Sequence, residues 1–150
     1  MSKSLALVLF LLLVVGGGVL IGGLTNAGPW YDALQKPWFN PPPWLFGPAW
    51  TLLYILIAIA GWRVWKREPS GGLMKLWWLQ LVVNFLWSPA FFGLQNIGLA
   101  LVIVLALLAS VLAFIAMGWN RDRPAALLFM PYALWVAFAS TLNASIYLAN

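Results

Sequence analysis

The 150-residue chain contains no cysteine and no histidine, and its only acidic residues are Asp32, Glu68 and Asp122. Without Cys or His there is no disulfide, no thiolate or imidazole metal site, no Cys- or His-based nucleophile and no His-ligated haem. So few carboxylates also leave little for acid/base catalysis or ion coupling, which ordinarily place an ionisable group in the working site. Charged residues make up 7% of the chain, against about 25% in a soluble domain. That is too little polar surface to cover a water-facing globule.

What is present is apolar: 64% of the residues are hydrophobic, 11 are Trp, and the mean hydropathy is +0.93. These figures predict an integral membrane protein. A helical span takes roughly 20 apolar residues, so a chain of 150 residues holds one compact all-α bundle, a single domain covering 1–150. The formal net charge of +5 arises from eight scattered basic residues that form no basic stripe. Nucleic acid is therefore not an expected partner, and the lipid bilayer is.

Charged or Pro/Gly-rich breaks separate five uncharged apolar runs, 5–24, 45–62, 76–94, 97–118 and 125–149, each long enough to cross a bilayer as a helix. With five crossings, the N-terminus and the second and fourth connections share one side. That side carries Lys3, Arg63, Lys66, Arg67, Lys75, Arg121 and Arg123, whereas the other carries Lys36 alone. The positive-inside rule then puts the N-terminus in the cytoplasm and the C-terminus outside, in the cytoplasmic membrane of a bacterium. A secretory signal peptide is the competing reading of the first run, with Lys3 before it and Thr25-Asn26-Ala27 resembling a cleavage site. A run of about 20 residues exceeds the usual apolar core of about 7–15 in such a peptide, so the first helix is expected to be retained.

The connection 25–44 holds Pro29, Pro37, Pro41, Pro42 and Pro43, interleaved with Trp30, Tyr31, Trp38, Phe39 and Trp44. Proline fixes φ and removes a backbone donor, which stiffens the loop. It is longer than the roughly 12–15 residues beyond which structureless loops are functional or disordered, and it is too aromatic for disorder. It reads either as a lid over a cavity or as an interfacial belt, where Trp and Tyr gather at the headgroup level. So many rings between rigid prolines exceed what a belt requires and favour the lid.

Three helices can line a cavity beneath it. Trp50 and Tyr54 are four apart and share a face. Gln80, Asn84, Trp87 or Ser88, and Phe91 follow helical spacing, as do Trp135, Phe138 with Ala139, Leu142 and Asn143. Amides in hydrocarbon must be paired, so each is either glue between helices or part of an aromatic, sparsely polar pocket; the three faces together favour the pocket. Pro89 and Pro131 each free a backbone carbonyl within their runs. Small-residue seams at Gly18-x-x-x-Gly22 and at Ala106, Ser110 and Ala113 permit close packing within the bundle or across a dimer.

Trp30-Tyr31-x-x-Leu34-x-Lys36-Pro37-Trp38-x-x-Pro41-Pro42, followed by Trp44, Phe46, Trp50 and Tyr54, resembles the signature of the translocator protein (TspO/MBR) family, also called tryptophan-rich sensory proteins or peripheral benzodiazepine receptors. The likeness continues through Gln80-Leu81-x-x-Asn84-x-x-Trp87-x-x-x-Phe91-Phe92-Gly93 and Pro131-Tyr132-x-x-Trp135-x-x-Phe138-Ala139-x-x-Leu142-Asn143. It implies a five-helix bundle, usually a homodimer, that binds porphyrins such as protoporphyrin IX, and benzodiazepine-type ligands, under the first loop. The implied pocket residues are Trp50, Asn84, Trp87, Trp135, Ala139, Leu142 and Asn143, with Tyr54 on the Trp50 face, and Trp30, Tyr31, Lys36, Pro37 and Trp38 as the lid. Animal members bind cholesterol through a motif ending in a basic residue, but here Tyr147 is followed only by Leu148, Ala149 and Asn150, so sterol is not the expected natural ligand.

Porphyrins are flat and apolar on both faces, so stacking on Trp supplies the attraction, while Lys36 could meet a propionate. No cofactor is required, and without a strong axial ligand a metal-free tetrapyrrole fits better than haem. The leading expectation is a membrane receptor or carrier for porphyrin-like hydrophobes. The resemblance also admits an enzyme that degrades porphyrin with light and oxygen, relaying oxidation through Trp30, Trp38 or Trp135. Ion-coupled transport is disfavoured, because all three acids lie in connections.

Overall fold

A computed structural model of the chain describes residues 2–25 and 27–150. Met1 and Asn26, the latter the middle of the cleavage-like tripeptide, lie outside the described residues. The described residues form six helices and no strand: α1 (Lys3–Leu24), α2 (Gly28–Asp32), α3 (Pro43–Arg67), α4 (Gly72–Ser88), α5 (Ile97–Arg121) and α6 (Arg123–Ala149). Four of them, α1, α3, α5 and α6, are long and apolar enough to cross a membrane. The α4 helix has 17 residues and runs on into a π turn, Pro89–Gly93.

The helix count differs from the expected five because part of the Pro-rich connection is itself helical. Gly28 takes a φ of +61°, a conformation that favours glycine, and Pro29 then presets a helical φ for the short α2. The long helices also overrun the apolar runs. Instead of stopping at 62 and 118, α3 and α5 continue to Arg67 and Arg121, placing Lys66, Arg67 and Arg121 in last turns, where cations complement the helix dipole. At the other ends, polar residues outside the runs act as caps. The side chains of Ser2, Asn96 and Asp122 accept from the backbone N–H of Leu5, Leu99 and Ala125 at 3.1, 3.0 and 3.2 Å.

Two long helices are irregular. A π-helical segment interrupts α1 at Leu12–Gly16, and α6 turns at Phe129, so that Pro131 opens a second segment, Met130–Ala149, where its missing N–H costs no helical bond.

In a membrane, lipid tails solvate apolar surface as well as leucine does, so helices are held by close packing and interhelical hydrogen bonds. The charged end has both. Trp77 is fully buried, its ring occupies the space that a side chain at Gly61 would need, and its Nε1 donates to the Ile57 carbonyl at 2.9 Å. Phe114 and Phe129 stack at 4.0 Å. Asp122, buried between α5 and α6, accepts from Arg63 at 3.2 Å and lies 3.8 Å from Arg67, while Arg121 reaches Glu68 at 3.8 Å. Trp62 donates to the Lys3 carbonyl at 2.8 Å beneath the Lys66 ammonium, 3.5 Å from its ring. The basic residues that the charge pattern assigned to one side thus meet at one end of the bundle.

Candidate ligand-binding cavity

At the loop end the helices do not close. A cavity of about 530 Å³ lies among α1, α3, α4 and α6 beneath the connection 25–44, within the roughly 300–1,000 Å³ typical of small-molecule sites. Its α3 wall is the face predicted from four-residue spacing: Trp50 and Tyr54 stack with centroids 5.6 Å apart and planes at 30°. The α6 wall meets this edge-on, with Trp135 6.3 Å from Trp50 and 6.0 Å from Phe46, and is continued along α6 by Phe138, 5.7 Å from Trp135 with planes at 32°. On the α1 side Gly18 lies against Tyr54, and a Cβ there would overlap the ring. Glycine at this position is what lets α1 approach.

The amides divide between the two roles open to them. Gln80 is fully buried: its Nε2 donates to the Trp77 carbonyl, and its Oε1 accepts from the Tyr132 hydroxyl at 2.8 Å. It is glue. Asn84 continues this chain, donating to the Tyr132 oxygen at 2.7 Å, yet also lines the cavity. Asn143 does both as well, accepting from Trp87 Nε1 at 3.0 Å and donating to the Ile97 carbonyl at 3.1 Å. Each amide is held by a partner on another helix, as an apolar medium demands. Trp135 is the exception, because its Nε1 is buried without a hydrogen-bond partner among the described residues. An unmade bond of this kind costs about 1–3 kcal/mol, which an acceptor on a bound molecule would recover.

Of the residues predicted for the site, Tyr31, Trp50, Tyr54, Asn84, Trp87, Trp135, Ala139, Leu142 and Asn143 line the cavity. Trp30, Lys36, Pro37 and Trp38 lie outside its lining. Trp30 packs edge-on against Phe91 at 5.8 Å. Trp38 is 94% exposed. Lys36 turns back on its own loop, donating to the carbonyls of Tyr31, Leu34 and Asp32 at 2.8, 3.1 and 3.3 Å, with its ammonium 4.7 Å from the Tyr31 ring. It staples the loop. Of the three rings considered for an oxidation relay, only Trp135 lines the cavity.

The cover is carried by Tyr31, whose hydroxyl donates to Asn40 Oδ1 at 3.2 Å. Burial pushes this phenol's pKa up and the nearby Asp32 charge adds to the effect, while the Asn40 bond works the other way; it remains a neutral donor at ordinary pH. At its other edge the loop is tied to the end of α6, with the Gln35 backbone and the Asn150 side chain exchanging bonds of 3.1 and 3.0 Å.

Sequence reasoning missed Gly18, Gly22, Phe46 and Phe85 as lining residues, while Ser88, named as the alternative to Trp87 on its face, lines the cavity together with it. Phe46 continues the helical spacing of Trp50 by one turn and was legible in that way. Gly18 and Gly22 were read as a packing seam, since a glycine carries no side chain to reveal which neighbour it faces.

The TspO/MBR family profile matches residues 9–148. The chain is 39% identical over 143 residues to a tryptophan-rich sensory protein of Cereibacter sphaeroides, covering 95% of this chain and 90% of that protein. It is 46% identical over 123 residues to the tryptophan-rich protein TspO of Archaeoglobus fulgidus, covering 81% and 80%. To the human translocator protein it is 38% identical over 127 residues, covering 81% and 75%. Such similarity along nearly the whole chain, together with an all-helical bundle whose aromatic faces converge beneath the Trp/Pro-rich loop, makes this multi-pass membrane protein a member of the TspO/MBR family.

Proposed function

We propose that the cavity binds flat hydrophobic molecules of the porphyrin type, protoporphyrin IX among them, and that the protein acts as a membrane receptor or carrier for them. The observation that carries this reading is the pair of aromatic walls, Trp50 with Tyr54 and Trp135 with Phe138, around about 530 Å³ of space. Walls of this kind gain by stacking and edge contacts on a planar ligand. The unpaired Trp135 N–H selects, within that class, molecules that offer a carbonyl or carboxylate acceptor. Synthetic benzodiazepine-type ligands share both properties. In this reading the bundle crosses the bacterial cytoplasmic membrane five times, α4 together with its π turn making the third crossing, with the Lys3 end in the cytoplasm, and it works as a homodimer.

Titration of the detergent-solubilised protein with protoporphyrin IX, followed by porphyrin absorbance and tryptophan quenching, tests the site. Trp50→Ala and Trp135→Ala are each expected to weaken binding by about tenfold, the worth of one aromatic contact. Unchanged affinity in both variants would sink the assignment.

A further inference from the structure

The cavity has two boundaries with the outside, and they are built differently. Toward water it is roofed by Tyr31, which is hydrogen-bonded to Asn40 and packed on Phe92 at 5.5 Å, under a loop stapled by Lys36 and tied to Asn150. It is also open on the flank of the bundle between α1 and α3. Among the described residues, the lining residues that are exposed lie in the last turns of α1 (Val19, Gly22, Gly23), the connection after it, and the first turns of α3 (Pro43, Gly47). On α4 and α6 every lining residue is buried or half-buried.

The gap follows from how α1 is held. At Gly18 the helix touches α3 through Tyr54, and at Gly17 it touches α4 through Phe85. Its far end is then fastened to α4, the hydroxyls of Thr25 and Ser88 lying 2.6 Å apart. Beyond Gly18 the side toward α3 is empty: a Cβ built at Gly22, Gly23 or Gly47 meets nothing within 4 Å. Leu20 and Leu24 on α1, and Leu52 on α3, stand exposed on the same two helices, as side chains facing lipid do. Val19 lies five residues before the end of α1, so the mouth reaches roughly 7 Å below the loop end of that helix at 1.5 Å per residue.

We propose that molecules pass between the cavity and the bilayer leaflet on the loop side through this lateral mouth, with Gly22, Gly23 and Gly47 as its sill, rather than through the loop from water. An apolar ligand is already concentrated in the bilayer, and a route from there avoids the cost of exposing it to water. The proposal rests on the cavity being the ligand site, but the mouth can be tested without any ligand.

The chain has no cysteine, so a single thiol placed in the cavity reports on access. Ala139→Cys, and Leu142→Cys as a second reporter, would be reconstituted in phosphatidylcholine and phosphatidylglycerol vesicles. Each is treated either with a long-chain N-alkyl maleimide dissolved in the bilayer or with a charged, membrane-impermeant thiosulfonate in the water. The bilayer reagent is expected to react faster. Adding Gly22→Leu or Gly47→Leu, which the open space accommodates, should slow it by about tenfold, equivalent to 1.4 kcal/mol of barrier, while the slow aqueous reaction stays as it was. An aqueous reagent as fast as the bilayer one, or a bilayer rate indifferent to both leucines, overturns the lateral route. Failure of protoporphyrin IX to bind would overturn the ligand class and leave these labelling rates as they are.

Discussion

At the charged end of the bundle Trp77 fills the space beside Gly61 and satisfies its N–H on the Ile57 carbonyl; at the loop end Trp135 stands at the edge of a void with its N–H unpaired. The two regions draw on the same residue types, large rings beside glycines. At one end ring and glycine interlock across helices, and the core is solid. At the other, one glycine on α1 is filled by Tyr54 and the next turn's glycine faces nothing. Aromatic density therefore does not specify a pocket. What specifies it is whether the partner helix arrives to close the gap, and at the loop end α1 leans on α4 and away from α3.

The same substitution is expected to have opposite outcomes at the two ends. Gly61→Leu should drive a side chain into the Trp77 ring; overpacking of a closed core costs about 1–3 kcal/mol or more, and here no flexible neighbour can yield. Loss of a monodisperse peak in size-exclusion chromatography and a sharply lower Tm in detergent are expected, whereas Gly22→Leu should leave both unchanged. Equal damage at both positions would erase the distinction between a packed and an open end.

A smaller effect is expected where the two regions join. Tyr132 is fully buried and its hydroxyl bridges Asn84 at the cavity to Gln80 below it. Tyr132→Phe keeps the ring and removes one hydrogen bond from each amide, lowering stability by about 1–2 kcal/mol, read as a lower Tm. Porphyrin affinity should change as well if Asn84 loses its orientation. The smallest effect belongs to Trp38→Ala. This ring stands in the lid motif but is almost wholly exposed, so stability should move by less than about 0.5 kcal/mol and porphyrin affinity should not move; a large loss of affinity would show that the lid's outer face takes part.

Much of the site was legible because helical periodicity is local. Trp50 with Tyr54, Asn84 with Trp87, and Trp135 with Ala139 and Asn143 each occupy one face by spacing, and all of them line the cavity. The loop was harder. Its composition presented lid and belt as alternatives; in the structure Tyr31 turns inward and lines the cavity, while Trp38 and Trp44 are exposed. Which ring of a Pro-rich segment turns in depends on the surface beneath it, and that surface belongs to α4 and α6. Lys36 shows the same dependence: a lone cation in an aromatic loop reads as a ligand contact, and in the structure its ammonium donates to three backbone carbonyls of its own loop.

By itself, the sequence determined the class of the protein and its chemical repertoire. A chain this apolar must fold as helices that satisfy their own backbone in lipid, and with no His, Cys or charged residue inside an apolar run, the polar groups those runs can offer are amides, hydroxyls and indole N–H groups. Charge placement likewise settled which helix ends meet. The tertiary structure alone decided where the bundle closes and where it stays open, because filling a void depends on volumes brought together from distant parts of the chain. Gly61 and Gly22 look alike as letters; only Trp77 distinguishes them.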